Sequence, residues 1–492
     1  MRVVHLPLDS RPCNVLFPVQ LAQWSGHECL IPSPEKMDHF TQEADCQDSR
    51  DFLLAKASEA DALVVSADHL CYGSLLGSRQ DSIAADEALR RLDVLREVRC
   101  HHPSLPIHVY SVIMRSSIST LYAGDLNDYQ AMTDYSVYSD RAAQTGSAED
   151  AMRAQQARDR LSPGALKRYE TARARNHAVN SRCVELAAEG VISSLALLQE
   201  DAQCYGFHKG EQRALVRLCR EKKAANVYLH NGADEGGALM VMKAILAQAA
   251  PQTIAVRCLG WEQAAFVACY EDRPFGENVK DTLACAGLQT DACAQSVLAV
   301  CCPPDGVQTD WPKPEHEEGL RQQAEEIAAM VGEGKKVYVL DVTRANGGTP
   351  ALMQFIHEKM PSLPLAGYSA WNTASNSLGT AVAQMISDLL AGCINRSFFW
   401  ERMLDDLAYQ GIVREPLNEE LRSAGEDPFR LADQTAAEKR LCERMKRLTS
   451  CEPMFACVPP YRVWLPWNRT FEAEIRVEGE ELMKQPDSGA MI

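Results

Sequence analysis

The sequence predicts an α/β protein: a (β/α)8 barrel of the TIM-barrel type over residues 1–390, with a helical insertion at about residues 120–180. A C-terminal helical extension with a terminal strand is expected at 391–492. Three observations carry this. Apolar, β-branched runs recur along the chain. Helical patterns separate them, the alternation of parallel βαβ units. Charged and polar residues gather where the runs end, the edge at which parallel α/β folds bind ligands. Two or three Rossmann-like domains produce the same alternation and are the alternative.

In chain order the strand-like runs are VVHLPLDSRP, ALVVSADHLCYGS, IHVYSVIMRSS, ISSLALLQEDAQ, NVYLHNGADE, TIAVRCL, KVYVLDVTRANGG and LAGYSAWNTASN. Segments such as ADEALRRLDVLREVRCHH and GLRQQAEEIAAMVGEG have helical periodicity and lie between them. Residues 120–180 are polar and helical, an insertion placed to cap a site. Residues 398–450 read as helices, and CVPPYRVWLPWNRTFEAEIRVEG as a proline-punctuated, strand-like tail.

At 492 residues the chain exceeds one small core. Acidic residues outnumber basic ones to give a net charge of -17, with no Lys/Arg run, so nucleic acid and anionic membranes are poor partners and a small solute is favoured. The start, MRVVHLPLDSRP, lacks the features of a signal peptide, and no apolar stretch is long enough to span a bilayer. The cytoplasm is the expected compartment, with a homo-oligomer left open. The 18 cysteines are scattered and form no C-x-x-C, which points to buried thiols rather than disulfides or structural zinc.

The chemistry is expected at the strand ends. Asp234 and Glu235 are adjacent in the turn after NVYLHN, between Gly232 and Gly236–Gly237. Neighbouring carboxylates push their pKa values apart, which supplies one proton donor and one charged group at a single pH. The plainer reading is that one of them caps the next helix; the glycines, which imply a tight backbone, favour function. A second pair, Glu200–Asp201, ends another apolar run. Four carboxylates converging would equally suit a divalent metal with His208 or His230 as nitrogen ligand.

Asp9 and Arg11 end the first run, Ser66, Asp68, Tyr72 and Arg79 cluster around a glycine turn, and Arg115 ends a third run. They pair with one another or hold a polar ligand. Asp341, Arg344 and Asn346 precede a glycine pair. Trp371, Asn372, Thr373, Asn376 and Ser377 have the makeup of a sugar pocket, a ring to stack on and amides for hydroxyls, or alternatively of a helix N-terminus. The Rossmann, P-loop, HExxH and GxSxG motifs are missing, which weakens dinucleotide, nucleotide and serine-hydrolase readings.

The ordered string PLDSRPCN, SADHLCYGSLLGSR, QEDAQCYG, NGADE, YEDRP, NGG, WNTASNSLGT and LPWNRTFE resembles the bacterial DUF4127 family over nearly the whole chain, a resemblance that implies no activity. The shorter HNGADE, His230 to Glu235 with Asn231 between, is similar to the H-x-G-x-D-E motif of family 20 β-N-acetylhexosaminidases. That similarity implies a (β/α)8 enzyme with Glu235 as general acid, Asp234 orienting a 2-acetamido group and His230 supporting them. The resulting expectation is a glycoside hydrolase for small saccharides, N-acetylated ones among them. Asp234, Glu235, Asp201 and Glu200 would be catalytic; Asp9, Arg11, Ser66, Asp68, Arg79, Arg115, His230, Asn231, Asp341, Asn346, Trp371, Asn372 and Asn376 would bind substrate. No resident cofactor is expected. A divalent-metal-dependent hydrolase or isomerase and a non-catalytic sugar-binding protein are the alternatives.

Overall fold

In the computed structural model, which describes residues 1–119, 125–310 and 316–478, the strand-forming runs pair into two parallel sheets. The first contains β1 (Arg2–Leu6), β2 (Glu28–Leu30), β3 (Ala62–Ser66), β4 (Ile107–Ile113), β5 (Ser194–Gln199) and β6 (Val227–Asn231), in the order β2-β1-β3-β4-β5-β6. The second contains β7 (Thr253–Leu259), β8 (Gln289–Thr290), β9 (Ser296–Cys301), β10 (Lys336–Asp341) and β11 (Gly367–Ser369), in the order β11-β10-β9-β7-β8.

The strands thus form two open parallel sheets and not the single closed barrel expected. In each half the second strand folds back outside the first, β2 beside β1 and β8 beside β7, before the chain reverses through the remaining strands. That reversal is the strand order of doubly wound sheets and leaves each with two edges. β6 and β7, consecutive in the chain, lie in different sheets.

Side-chain alternation along the strands builds the layers. Val4, Leu6, Leu63, Val65 and Leu195 point to an outer core under helices that include Cys46–Lys56, Ala165–Ala188 and Phe207–Lys222. Val3, Val64, Tyr110 and Leu198 point the other way, into a core that also takes Ile254, Leu298, Val300 and Leu340 from the second sheet. Four helices, Pro12–Trp24, Gly236–Leu246, Phe275–Ala286 and Ala374–Ala391, fill this shared middle layer. Val337, Val339, Ala299 and Cys301 face a third core, closed by Glu317–Gly332, Pro350–Lys359 and the C-terminal helices.

The expected insertion forms helices Leu126–Thr145, Ala148–Asp159 and Ala165–Ala188; its residues 120–124 lie outside the described residues. The expected extension consists of Arg396–Arg402, a π-helical stretch Met403–Val413, helices Arg414–Ser423 and Gln434–Cys451, and an antiparallel hairpin of β12 (Tyr461–Trp464) and β13 (Glu474–Val477). Its residues 479–492 lie outside the described residues. Among the described residues no helix is long and apolar enough to cross a membrane.

Candidate active site

A cavity of about 320 Å³ opens between the sheets at the carboxyl ends of their strands. Asp9 and Arg11 reach it from the end of β1, Arg115 from β4, Glu200 and Asp201 from β5, and Gly232 to Asp234 from β6. The second half contributes Tyr270 and Glu271 after β7, Asn346 after β10, and Asn372, Thr373 and Asn376 after β11. Tyr129 of the insertion and Trp467, Arg469 and Phe471 of the β12–β13 turn complete the wall.

Local sequence sets these positions. Pro12 occupies the first turn of its helix, where a missing N–H costs nothing, so the chain leaves β1 extended through Arg11. Gly232 has φ +106°, and a Cβ there would meet the Glu235 carboxyl at 2.1 Å. Gly236 and Gly237 let their helix approach Leu198 and His5, which a Cβ would reach at 2.4 and 2.8 Å. Thr373 caps the last middle-layer helix, and Asn376 Oδ1 accepts the N–H groups of Ala233 at 2.9 Å and Asp234 at 3.3 Å, tying the two halves together.

Most of the charge in the cleft is paired. Arg11 forks between two acids: Nη2 lies 2.7 Å from Asp9 and 2.6 Å from Asp234, and Nη1 donates to Asp234 Oδ2 at 2.9 Å. Asn372 also donates to Asp234 Oδ2, at 3.1 Å. Burial opposes the ionisation of Asp9, yet Arg11 and Asn14 hold its carboxyl below the usual range. Burial likewise opposes charge on Glu200, and Arg79 and Arg115 overcome it. Arg79 pairs with Glu200, and Arg115 with Asp201. Arg469 pairs with Glu472 and packs among Phe40, Trp467 and Phe471.

Glu271 differs from these acids. It is 3% exposed, accepts the Ser375 N–H at 2.7 Å and the Asn278 amide at 2.7 Å, and has no cationic partner among the described residues. Burial pushes its carboxyl up to about 7, against the pull of Ser375 and Asn278.

The Asp–Glu pair that the sequence singled out is split by the fold. Asp234 faces the cleft, whereas Glu235 is 2% exposed behind Gly232, with no hydrogen-bond partner for either oxygen among the described residues. Burial raises it well above the ordinary range, and Asp234 and Glu271 add to the effect. Neither residue's side chain caps the following helix. As general acid Glu235 is misplaced, because a group behind the wall cannot reach a ligand in the cleft.

Asp9, Arg11, Arg79, Arg115, Glu200, Asp201, Asp234, Asn346, Asn372 and Asn376 do converge on the cavity, whereas Ser66, Asp68, His230, Asn231, Asp341 and Trp371 are buried away from it. Ser66 caps a short helix through the His69 N–H at 3.1 Å. Asp68 accepts the Val112 N–H at 2.8 Å, and burial pushes it up to about 7. Arg273 holds Asn231 Oδ1 at 3.2 Å. Asp341 organises its loop through Thr343, Thr349 and Tyr368. Trp371 packs against Phe471, with ring centroids 5.9 Å apart, so it backs the wall rather than offering a stacking face.

His230, held by the Asn231 carbonyl at 2.9 Å, is pushed down to about 4 by burial. His208 bonds Ser116 and the Gln203 carbonyl, and burial pushes it down to about 3. Neither histidine joins the acids of the cleft, and among the described residues no group of three or more His, Cys, Asp and Glu side chains is arranged to hold a metal ion.

Glu271, Tyr129, Tyr270, Trp467, Arg469 and Phe471 went unassigned from sequence. YEDRP and LPWNRTFE, which contain most of them, stand out only through the family resemblance; charged residues set beside aromatic ones are the signal that could have found them.

A family model described as "Protein of unknown function (DUF4127)" matches residues 3–476. No curated protein matches the chain. A solved structure titled "Structure of Cobalamin-dependent S-adenosylmethionine radical enzyme OxsB with aqua-cobalamin bound" matches at 9% identity, over 91% of this chain and 67% of that one. Its TM-score of 0.18 is too low to bear on fold or chemistry.

Proposed function

The chain belongs to the DUF4127 family, proteins of unknown function, and from that premise and the geometry of the cleft we propose a glycoside hydrolase of small saccharides with Glu271 as proton donor. One contrast carries the reading. Asp9, Glu200, Asp201 and Asp234 line the cleft with an arginine on each, whereas Glu271 lines it without a cation among the described residues, and burial pushes its carboxyl up to about 7.

Glycoside cleavage needs one carboxyl that holds a proton for the leaving oxygen and another that stays charged. A donor titrating near the working pH combines a useful protonated fraction with a good driving force for transfer. Asp201, whose side chain is 30% exposed, is the arginine-paired acid most open to a ligand and is assigned as nucleophile or base. Asp234, paired with Arg11, supports positive charge developing at the anomeric carbon, and Asn346, Asn372 and Asn376 serve the hydroxyls. Both oxygens of Asp234 are already engaged by Arg11 and Asn372. This favours carboxylate catalysis over the acetamide-assisted route. A cytoplasmic location, also proposed, implies imported saccharides.

The test is release of nitrophenol from a panel of aryl glycosides, 2-acetamido sugars included, followed against pH. Because the donor must be protonated, kcat/KM is expected to fall about tenfold per pH unit above about 7. Silence across the panel, with or without divalent metals, or a rate that climbs through that range, would count against the proposal.

A further inference from the structure

Two arginines of the cleft have more hydrogen-bonding capacity than the described residues use. Arg79, with 9% of its side chain exposed, gives Nη2 to Glu200 and Nη1 to Ser119 Oγ at 3.1 Å. Arg115 gives Nη2 to Asp201. Among the described residues the Nε–H of each is buried without a hydrogen-bond partner, an arrangement that native interiors seldom tolerate.

The two side chains are neighbours. Glu200 takes Arg79 on Oε2 and the Arg115 backbone N–H on Oε1, the latter at 2.9 Å. Both arginines line the cavity, as does Ser119. Burial lowers the pKa of Arg79, with the charge of Arg115 acting in the same direction and Glu200 and Asp201 acting against it. Tyr129 sits under the Arg115 guanidinium at 5.7 Å and fixes its plane. A pair of planar donor forks held this way matches the oxygens of a carboxylate or phosphate.

We propose that the saccharide of this cleft carries an oxyanion, a carboxylate or a phosphate monoester, received by Arg79, Arg115 and Ser119. The inference rests on the reading of the cleft as a saccharide site and adds the substrate class. Glu200 and Asp201 balance the two cations, so recognition comes from directed donors rather than from excess charge.

The experiment is calorimetric titration of the full chain with glucose and galactose, their uronates and their 6-phosphates. One anionic series is expected to bind on the order of ten- to a hundredfold tighter than the neutral sugars; which series leads identifies carboxylate or phosphate. Ser119→Asp, which leaves both arginine–acid pairs intact, should abolish that advantage without lowering Tm. Equal binding of neutral sugars, an anion preference that survives Ser119→Asp, or no binding by any probe overturns the proposal. Binding is read without turnover, so Glu271→Gln should keep the anion preference, and a failure of catalysis and a failure of recognition remain distinguishable.

Discussion

Arg11 shows how the site is held at the scale of one residue. It is 5% exposed and compensates two buried carboxylates from opposite ends of the first sheet's sequence, Asp9 and Asp234. Arg11→Leu leaves both uncompensated, and a loss of about 3–5 kcal/mol in denaturant unfolding is expected. Glu235 is the opposite case, an acid held neutral by burial. Its folded pKa is raised, so the stability it lends is present at low pH and lost as ionisation is forced on it with rising pH. Glu235→Gln should therefore gain stability relative to wild type on going from about pH 5 to about pH 8. A variant whose difference from wild type is flat across that range would mean that Glu235 is not a buried neutral acid.

At the scale of elements, the cleft depends on how closely the middle-layer helices approach and on what the C-terminal segment adds. A Cβ on Gly379 would lie 1.9 Å from Glu235 Cγ, so helix Ala374–Ala391 can pack on the start of helix Gly236–Leu246 only with glycine there. Gly379→Ala should cost about 1–3 kcal/mol or more by overpacking. Gly332→Ala, with nothing within 4 Å, should stay within about 1 kcal/mol of wild type, on the stabilising side. Equal effects would show that contact between the halves is not what Gly379 serves. The π-helical stretch has its own task. Asp406 takes the N–H groups of Ala370 at 2.8 Å and Trp371 at 3.2 Å while Arg402 holds its other oxygen at 2.8 Å, which fixes the loop that carries Asn372. The hairpin turn then brings Trp467 over the cleft, anchored to Ser10 Oγ at 3.1 Å.

At the scale of the molecule, the binding edge was legible and its closure was not. Apolar runs ending in charge located Asp9, Arg11, Arg115, Glu200, Asp201 and Asp234, because parallel strands put their carboxyl ends on one side whether the sheet closes or stays open. The distinction between barrel and paired sheets rests on β2 and β8, three and two residues long, which give no periodic signal, and on β9, which lies within SVLAVCC and does not end in a charged cluster. Adjacent Asp234 and Glu235 look equivalent in sequence; a backbone turn at Gly232 sends one to the cleft and one behind it. Glu271 is hidden in the sequence because its environment depends on Ser375, 104 residues along the chain, as well as on nearby Asn278. The central claim is that acid chemistry belongs to the cleft between the sheets. The most direct test is to assay Glu271→Gln and Glu235→Gln side by side on the aryl glycoside the wild type cleaves best. The account predicts a loss of about 10²- to 10⁴-fold for Glu271→Gln and near wild-type turnover for Glu235→Gln, both folded. Loss in Glu235→Gln with Glu271→Gln active would contradict it.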